Sequence, residues 1–501
     1  MVSCPQRVND KIIFIMKYEP VIGLEVHAEL ATGTKMFCSC PIVDNTTAEP
    51  NIAVCPVCAG MPGTLPVLNK KAVELGIRAA LALECQVQHV SIFARKNYFY
   101  PDLPKGYQIS QFEEPLAVHG RLVVDTAQGE KIIRVRRVHL EEDAGKLTHV
   151  HENGEDYSLA DLNRAGVPLL EIVSEPDMHS IEEVRGYATG LRAILREIGV
   201  NSGDMEKGVI RFEANISIRP EGSTELGTRV EIKNLNSFRA MERGIVFELE
   251  RQAKLLDRGE RVIQETLGWN EEKQCTYSQR SKEEAHDYRY FPEPDLPPLV
   301  VEAALVEEIQ ASLPELPRAK SLRLQRQYGL SAVDAGKISL EREICEYFET
   351  CAASDQNPAP RTVAAWITGE LFAWLNASGT AFGAIKVPPF YLAELIHLVQ
   401  EGQINQNTAK TVFVKMLESG RQAAEIVQTE GLAQTSDEGL ISQLVKDVLE
   451  AYPQELASYL GGKDSLANWF FGQVMRAAGG KANPGVLKAE LEKQLTSRKP
   501  A

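Results

Sequence analysis

Between Val21 and Phe238 the chain repeatedly alternates apolar and ionisable residues with a period of two. No other feature limits its fold as tightly. In "VIGLEVHAEL" (Val21 to Leu30), Ile22, Leu24, Val26, Ala28 and Leu30 share one parity, and Glu25, His27 and Glu29 share the other. A β-strand turns successive side chains to opposite faces, so this spacing predicts a strand with one apolar and one charged face. A single such strand is satisfied by solvent. The pattern returns in "IRFEANISIR", where Arg211, Glu213 and Asn215 alternate with Ile210, Phe212 and Ala214. It returns again in "RVEIKNL" with Glu231 and Lys233, and carboxylates also punctuate "PLLEIVSEPD" and "VHLEEDAGK". Several strands of this kind predict a sheet whose polar face lines a cleft.

Carboxylates with one imidazole are hard ligands that suit Mg2+ or Mn2+, and Arg and Lys on the same face suit phosphate. Together they read as phosphoryl transfer from a nucleotide, where catalysis is mostly positioning and charge neutralisation. Neither G-x-x-x-x-G-K-[ST] nor a G-x-G-x-x-G after a strand is present, which removes the P-loop and Rossmann routes to a nucleotide site.

A second cluster stands apart from these strands. Cys38 and Cys40, then Cys55 and Cys58, form C-x-C and C-x-x-C pairs fourteen residues apart, the spacing of a closed tetrahedral structural zinc site. Cys4, Cys85, Cys275, Cys345 and Cys351 are scattered and read as ordinary small residues.

Three helices are expected among the strands: Lys70 to Glu84, Ser180 to Gly199 with a capping box at Ser180 and Glu183, and a run ending at Gly259. Strands mixed with a few helices predict an α+β domain over residues 18–298. The proline-rich "DYRYFPEPDLPPL" closes it. A helical domain over 299–385 and a helical tail over 386–501 follow, with "KVPPF" between them. The longest apolar run near the start, "IIFIM", is too short to span a membrane, and the preceding residues make a poor signal peptide, so a cytoplasmic protein is expected. The net charge of −15 argues against a protein that simply coats nucleic acid. The tail, in contrast, is nearly balanced in charge, and "GGKDSLANWFFGQVMRAAGGKANP" offers Lys463, Arg476 and Lys481 to phosphate. Trp469, Phe470 and Phe471 fit either base stacking or a helix core.

The blocks "YEPVIGLEVHAEL", "RKNYFYPDLPKGYQISQ", "LEEDAGK", "DLNRAGVPLLEIVSEPD", "EANIS", "EIKNLNSF", "DYRYFPEPD" and "GQVMRAAGGKANP" occur in order. They resemble the signature blocks of the B subunits of aspartyl/glutamyl-tRNA amidotransferases from about Tyr18 onward. The resemblance implies a glutamine-synthetase-like cradle domain, a helical domain and a tRNA-binding tail. It implies ATP-dependent amidation of Glu-tRNA(Gln), Asp-tRNA(Asn) or both through an acyl phosphate. Ammonia would come from an amidase A subunit, with a small C subunit completing a heterotrimer. The chain itself offers no Ser-Ser-Lys amidase arrangement, which fits a separate ammonia source.

Carried over block by block, the resemblance makes Glu25, His27, Glu142 and Glu171 candidate Mg2+ ligands and catalytic residues. Glu213 and Glu231 become candidates for a nucleotide-associated metal, and Arg164, Arg211 and Lys233 for phosphate contacts. Lys96 and Tyr98 are assigned to the ammonia path. Asn163, Gly166 and Pro168 read as turn-shaping, and Tyr288, Tyr290 and Phe291 as packing at a domain junction. Residues 1–17 precede the first matching block, and Met16 is the expected functional start. Two other classes stay open: a freestanding ATP-dependent amide ligase on a small carboxylate, and a non-catalytic zinc-stabilised RNA-binding scaffold.

Overall fold

The structure, a computed structural model, describes residues 17–281, 288–434, 438–479 and 482–498. The chain forms two compact units, the first ending at Pro317 and the second beginning at Arg318. The extension up to Met16, and Lys481, lie outside the described residues.

The first unit is built on a nine-stranded mixed sheet. Its spatial order is Cys275–Ser281, Glu265–Asn270, Val230–Leu235, Ile210–Pro220, Tyr18–Glu29, Pro168–Ser174, Gly129–Glu142, Ala117–Thr126 and Gln86–Val87. Among the described residues, only Val230–Leu235 and Glu265–Asn270 pair in parallel. The opening stretch thus lies mid-sheet, antiparallel to Pro168–Ser174 on one side and to Ile210–Pro220 on the other.

The apolar parity of these strands is buried: Ile22, Leu24, Val26 and Ala28 are fully inaccessible. Helices Ile181–Glu197 and Phe238–Asp257 supply Val184, Tyr187, Leu191, Met241, Ile245 and Leu249 to the same core. Their ends follow from sequence. Ser180 Oγ accepts from the Glu183 amide, Ser237 Oγ accepts from the Ala240 amide, and Gly199 and Gly259 take the left-handed conformation just past each helix. A third helix, Lys70–Ala82, is capped by Asn69, whose side chain accepts from the Ala72 amide.

The proline-rich segment does not end the first unit. Phe291–Pro292 pairs with Phe93–Asn97, and Leu299–Val300 pairs with Val90–Ser91. Beyond them Val301 and Ile309 enter the sheet's core. Proline tolerates such short edge pairings because no ladder hydrogen bond is required of it there. The unit therefore runs past the boundary expected at 298.

The second unit is helical and carries two cores. The first gathers residues from Leu324 to Val427, including Phe348, Trp366, Val387, Leu392 and Phe413. The break expected at 386 falls inside it, because Pro388 and Pro389 start the helix Pro389–Gln400 rather than a new domain. The second core gathers residues from Ile441 to Leu495. Phe470 is fully buried there and Trp469 packs edge-on against Tyr452, ring centroids 5.0 Å apart, so this aromatic run belongs to the core. Among the described residues no helix is long and apolar enough to cross a membrane.

Candidate active site

The polar parity of the central strands converges on one face. Cross-strand pairing sets Glu171 opposite His27 on one side and opposite His139 on the other. On the neighbouring strand His27 faces Arg211, and Glu25 faces Glu213. Directly opposed residues of adjacent strands place their side chains within contact, so this register assembles the site.

Two carboxylate groups result. In the first, His27 Nε2 lies 3.3 Å from Glu171 Oε2 and 3.7 Å from Glu141 Oε1. The ligand atoms of His27, Glu141 and Glu171 all fall within 4.8 Å of one another, as do those of Glu25, Glu213 and Glu231 in the second group. Asn215 donates to Glu25 Oε1 at 2.8 Å, and Thr266 donates to Glu231 Oε2 at 2.9 Å. Lys233 Nζ stands 3.1 Å from Glu213 and 3.6 Å from Glu231, a fixed cation beside the second group.

The electrostatics show what the face lacks. Burial raises Glu25, and Glu171 and Glu213 raise it further. Burial also raises Glu231 to about 7, with Lys233 opposing and Glu213 adding. Burial alone would lower His27, but Glu171, Glu213 and Glu141 outweigh it and lift it to about 9. Glu213 resists burial and falls to about 2 because Lys233 and His27 favour its charge. Carboxylates are thus crowded until some hold protons, and a basic imidazole holds one too. A divalent cation relieves both at once, and an all-oxygen set with one imidazole suits Mg2+ or Mn2+. The residues fit such an ion.

Glu142 is not part of this face, contrary to expectation. Its Oε1 accepts from the Ile109 amide at 2.9 Å and pairs with the half-buried Lys105 ammonium. Adjacent strand residues point oppositely, so Glu141 and Glu142 cannot both face the cleft. The sequence held the signal: Val138 and Leu140 are apolar, so Glu142 shares their parity, and Glu141 shares that of Arg137 and His139. The resemblance selects Glu142 from the "LEED" block and assigns neither Glu141 nor His139 to the site.

The remaining candidates surround the face. Arg211 Nη2 donates to Asp143 Oδ2 at 2.8 Å. Arg164 donates to the Ala144 and Gly145 carbonyls, 3.0 and 2.6 Å away, so it braces the turn after Glu142. Lys96 Nζ lies 4.9 Å from the Tyr288 ring centroid and 5.9 Å from that of Tyr98. Burial would depress Lys96, but Tyr290, Glu141 and Glu171 raise it well above the ordinary lysine value. Burial pushes the Tyr98 phenol upward. Tyr290 stacks on Phe112 at 4.1 Å. In the second unit Lys463 is exposed ahead of helix Leu466–Ala477, and Arg476 is exposed in its last turn.

The cysteine quartet also assembles. Cys58 Sγ lies 3.9 Å from Cys40 Sγ and from Cys55 Sγ, and all four sulfurs lie within 4.8 Å of one another. Sulfurs about 2.3 Å from a tetrahedral zinc would sit about 3.8 Å apart, so the set fits zinc. Lys35 supplies an independent argument. It is fully buried, with its Nζ 3.6 Å from Cys58 Sγ and 3.0 Å from the Leu162 carbonyl. A sealed ammonium needs an anionic neighbour, and a zinc-bound set of four thiolates carries a net charge of about −2. The cysteine loops are tied to the rest of the unit by Asn163, which accepts from the Ala53 amide and donates to the Glu49 carbonyl. Gly166, at φ +88°, leaves room for Cys58, Lys35 and Glu142 to meet behind the catalytic strands.

A sheet with an apolar face under helices and a polar face carrying two carboxylate clusters, the His27 and His139 imidazoles and a lysine defines a class. It is the class of enzymes whose polar sheet face can hold divalent cations and neutralise phosphoryl or acyl-phosphate charge. The chain belongs to the GatB family: the GatB/GatE catalytic domain matches residues 20–307 and the GatB domain matches residues 346–495. It is 49% identical over 481 residues to the aspartyl/glutamyl-tRNA(Asn/Gln) amidotransferase B subunit of Myxococcus xanthus, covering 96% of this chain and 99% of that one. The protein of the same name from Moorella thermoacetica is 49% identical over 480 residues, covering 96% of this chain and 100% of that one. That of Brevibacillus brevis is 46% identical over 481 residues, covering 96% and 99%.

Proposed function

We propose that this chain is the subunit of a tRNA amidotransferase that activates and amidates the amino acid of Glu-tRNA(Gln), Asp-tRNA(Asn) or both. The γ-phosphoryl of ATP passes to the side-chain carboxylate of the esterified amino acid, and ADP leaves. Ammonia then attacks the acyl phosphate, the C–N bond forms, and the C–O bond to phosphate breaks. The observation that carries this reading is the pairing of the His27, Glu141, Glu171 group with the Glu25, Glu213, Glu231 group on one sheet face.

Both reactants of the first step are anions, and Mg2+ held in these groups would supply the charge neutralisation that lets them approach. The chain's own part is positioning. Glu25, Glu213 and Glu231 form the nucleotide side, with Lys233 beside them to meet phosphate oxygens. His27, Glu141 and Glu171 form the other side. Lys96, held among Tyr98, Tyr288 and the carboxylates, stands where ammonia would enter from a partner. The reading includes an amidase A subunit that makes the ammonia, a small C subunit, a structural zinc on Cys38, Cys40, Cys55 and Cys58, and a cytoplasmic setting. The tail's Lys463 and Arg476 are assigned to the tRNA backbone, with Lys481 beyond the described residues.

The test is to purify the chain with an amidase partner and supply Glu-tRNA or Asp-tRNA, ATP, Mg2+ and ammonia. Formation of the amidated tRNA with matching release of ADP and phosphate supports the reading. An intact complex that makes amide without ATP, or none with either nitrogen source, overturns it.

A further inference from the structure

His139 is the group on this face that the reaction above leaves unused. It lies on the Gly129–Glu142 strand, directly across from Glu171, and is 2% exposed. Its Nε2 faces Glu171 Oε2 at 3.4 Å and Glu141 Oε2 at 3.8 Å. Its Nδ1 is buried and has no hydrogen-bond partner among the described residues. The same oxygen of Glu171 lies 3.3 Å from His27 Nε2. One carboxylate is therefore flanked by two imidazoles on adjacent strands. His27 is 15% exposed and borders the cleft, while His139 is sealed behind it.

Resting on the reading of this face as a divalent-cation site, we propose that His139 is a positioning residue that holds Glu141 and Glu171 in the geometry that binds the cation. The argument is steric and electrostatic. Glu141 and Glu171 are 3% and 7% exposed, and each needs a donor on its closed side when the open side is given to a cation. Ser110 Oγ donates to Glu141 Oε2 at 3.1 Å, and among the described residues His139 is the buried imidazole that faces Glu141 and Glu171 together. Arg137 reaches only the far oxygen of Glu171, at 3.8 Å. An imidazole with one nitrogen facing two carboxylates and the other facing nothing is a poor choice for packing, since an apolar side chain of that volume would bury no unpaired nitrogen. Its position is explained by the two carboxylates. A histidine acting this way touches neither substrate nor cation and works only through its neighbours.

The test uses the full chain with its amidase partner and Mn2+ as the probe. Mn2+ affinity is measured by titration, and bound nitrogen by pulsed electron paramagnetic resonance. His139→Phe removes the donor, His139→Gln keeps one near the position of Nε2, and His139→Asn is too short to do so. The expected result is a fall in Mn2+ affinity of about 10- to 100-fold for His139→Phe and His139→Asn, the usual effect of losing an outer partner of a metal ligand. His139→Gln should return to within a few-fold of wild type. The nitrogen signal should persist in every His139 variant and vanish in His27→Ala. In amidation assays the metal concentration for half-maximal rate should rise while the rate at saturating Mn2+ is largely kept.

Equal affinities for the Gln and Asn variants, or loss of the nitrogen signal with His139, overturn the inference while leaving the cation site intact. Wild-type complex that binds no Mn2+ at this face overturns the inference and the site reading together. Should the Phe variant not fold, the Gln and Asn pair still decides between these outcomes.

Discussion

Exchanging one oxygen for one nitrogen at Glu141 or at Glu142 should have opposite consequences, although the two residues are neighbours. Glu141→Gln removes a charge from the first carboxylate group while keeping the side chain's shape. Loss of one anionic partner of a metal in phosphoryl transfer costs several kcal/mol of barrier. About 4 kcal/mol corresponds to roughly a thousandfold in rate. The same change keeps the side chain's volume and leaves an amide oxygen to accept from Ser110 Oγ, so the metal-free fold should hold.

Glu142→Gln does the reverse. The side chains of Lys105 and Glu142 are 13% and 4% exposed, and the variant strands a mostly buried ammonium. Breaking such a pair costs about 3 kcal/mol of stability. The Ile109 amide keeps an acceptor in the new amide oxygen, so the local backbone should hold. The assay pairs chemical denaturation of each variant with single-turnover amidation using ammonia, ATP and saturating Mg2+, well below the melting temperature. A folded Glu142→Gln variant that is a thousandfold slower, beside a near-normal Glu141→Gln, would refute the assignment of strand parity and with it the site.

Other outcomes follow from the same geometry. Purified protein should carry about one zinc per chain, and Cys55→Ser should lower both zinc content and stability. Lys35→Met should speed zinc loss to a chelator by about tenfold or more, since the sealed counter-charge is gone; unchanged release would show that Lys35 serves packing alone. Binding of Mn2+ should strengthen by about tenfold per pH unit up to about pH 9, because His27 must shed a proton held to about 9 before it ligates. In the metal-free protein the sign is opposite. The raised His27 pKa contributes stability that is complete below its unfolded value of about 6.5 and is lost as pH climbs through about 9, readable from melting temperature against pH. A chain beginning at Met16 should assemble and act normally, since the relatives are covered nearly end to end by 96% of this chain and the family match begins at residue 20. Loss of amidation on that truncation would give the first residues a role.

Much of the site was legible in the order of residues alone. The parity of Glu25 and His27, of Glu213, and of Glu231 and Lys233 follows from the two-residue period of a strand, a purely local property. The helix caps at Ser180 and Ser237 and the pairing of cysteines into two close turns are local in the same sense. What was not local had to wait. A one-residue irregularity near Arg136 shifts the buried parity of the Gly129–Glu142 strand. Ile133 and Val135 lie on the core side before it, and Val138 and Leu140 after it. That shift gives His139 and Glu141 the parity of the polar face, and the resemblance by itself does not separate Glu141 from its neighbour Glu142.

The sequence by itself thus determined which side chains each strand offers to a polar face, because alternation is imposed by the backbone of the strand alone. Only the tertiary structure decided which of those faces meet. The strand holding His27 lies between strands that begin at residues 168 and 210, and the Gly129–Glu142 strand follows beyond. No local rule sets that order. It is chosen by burying the apolar parity of all these strands under the helices of the unit at once, and the meeting of His27, Glu141 and Glu171 is its consequence.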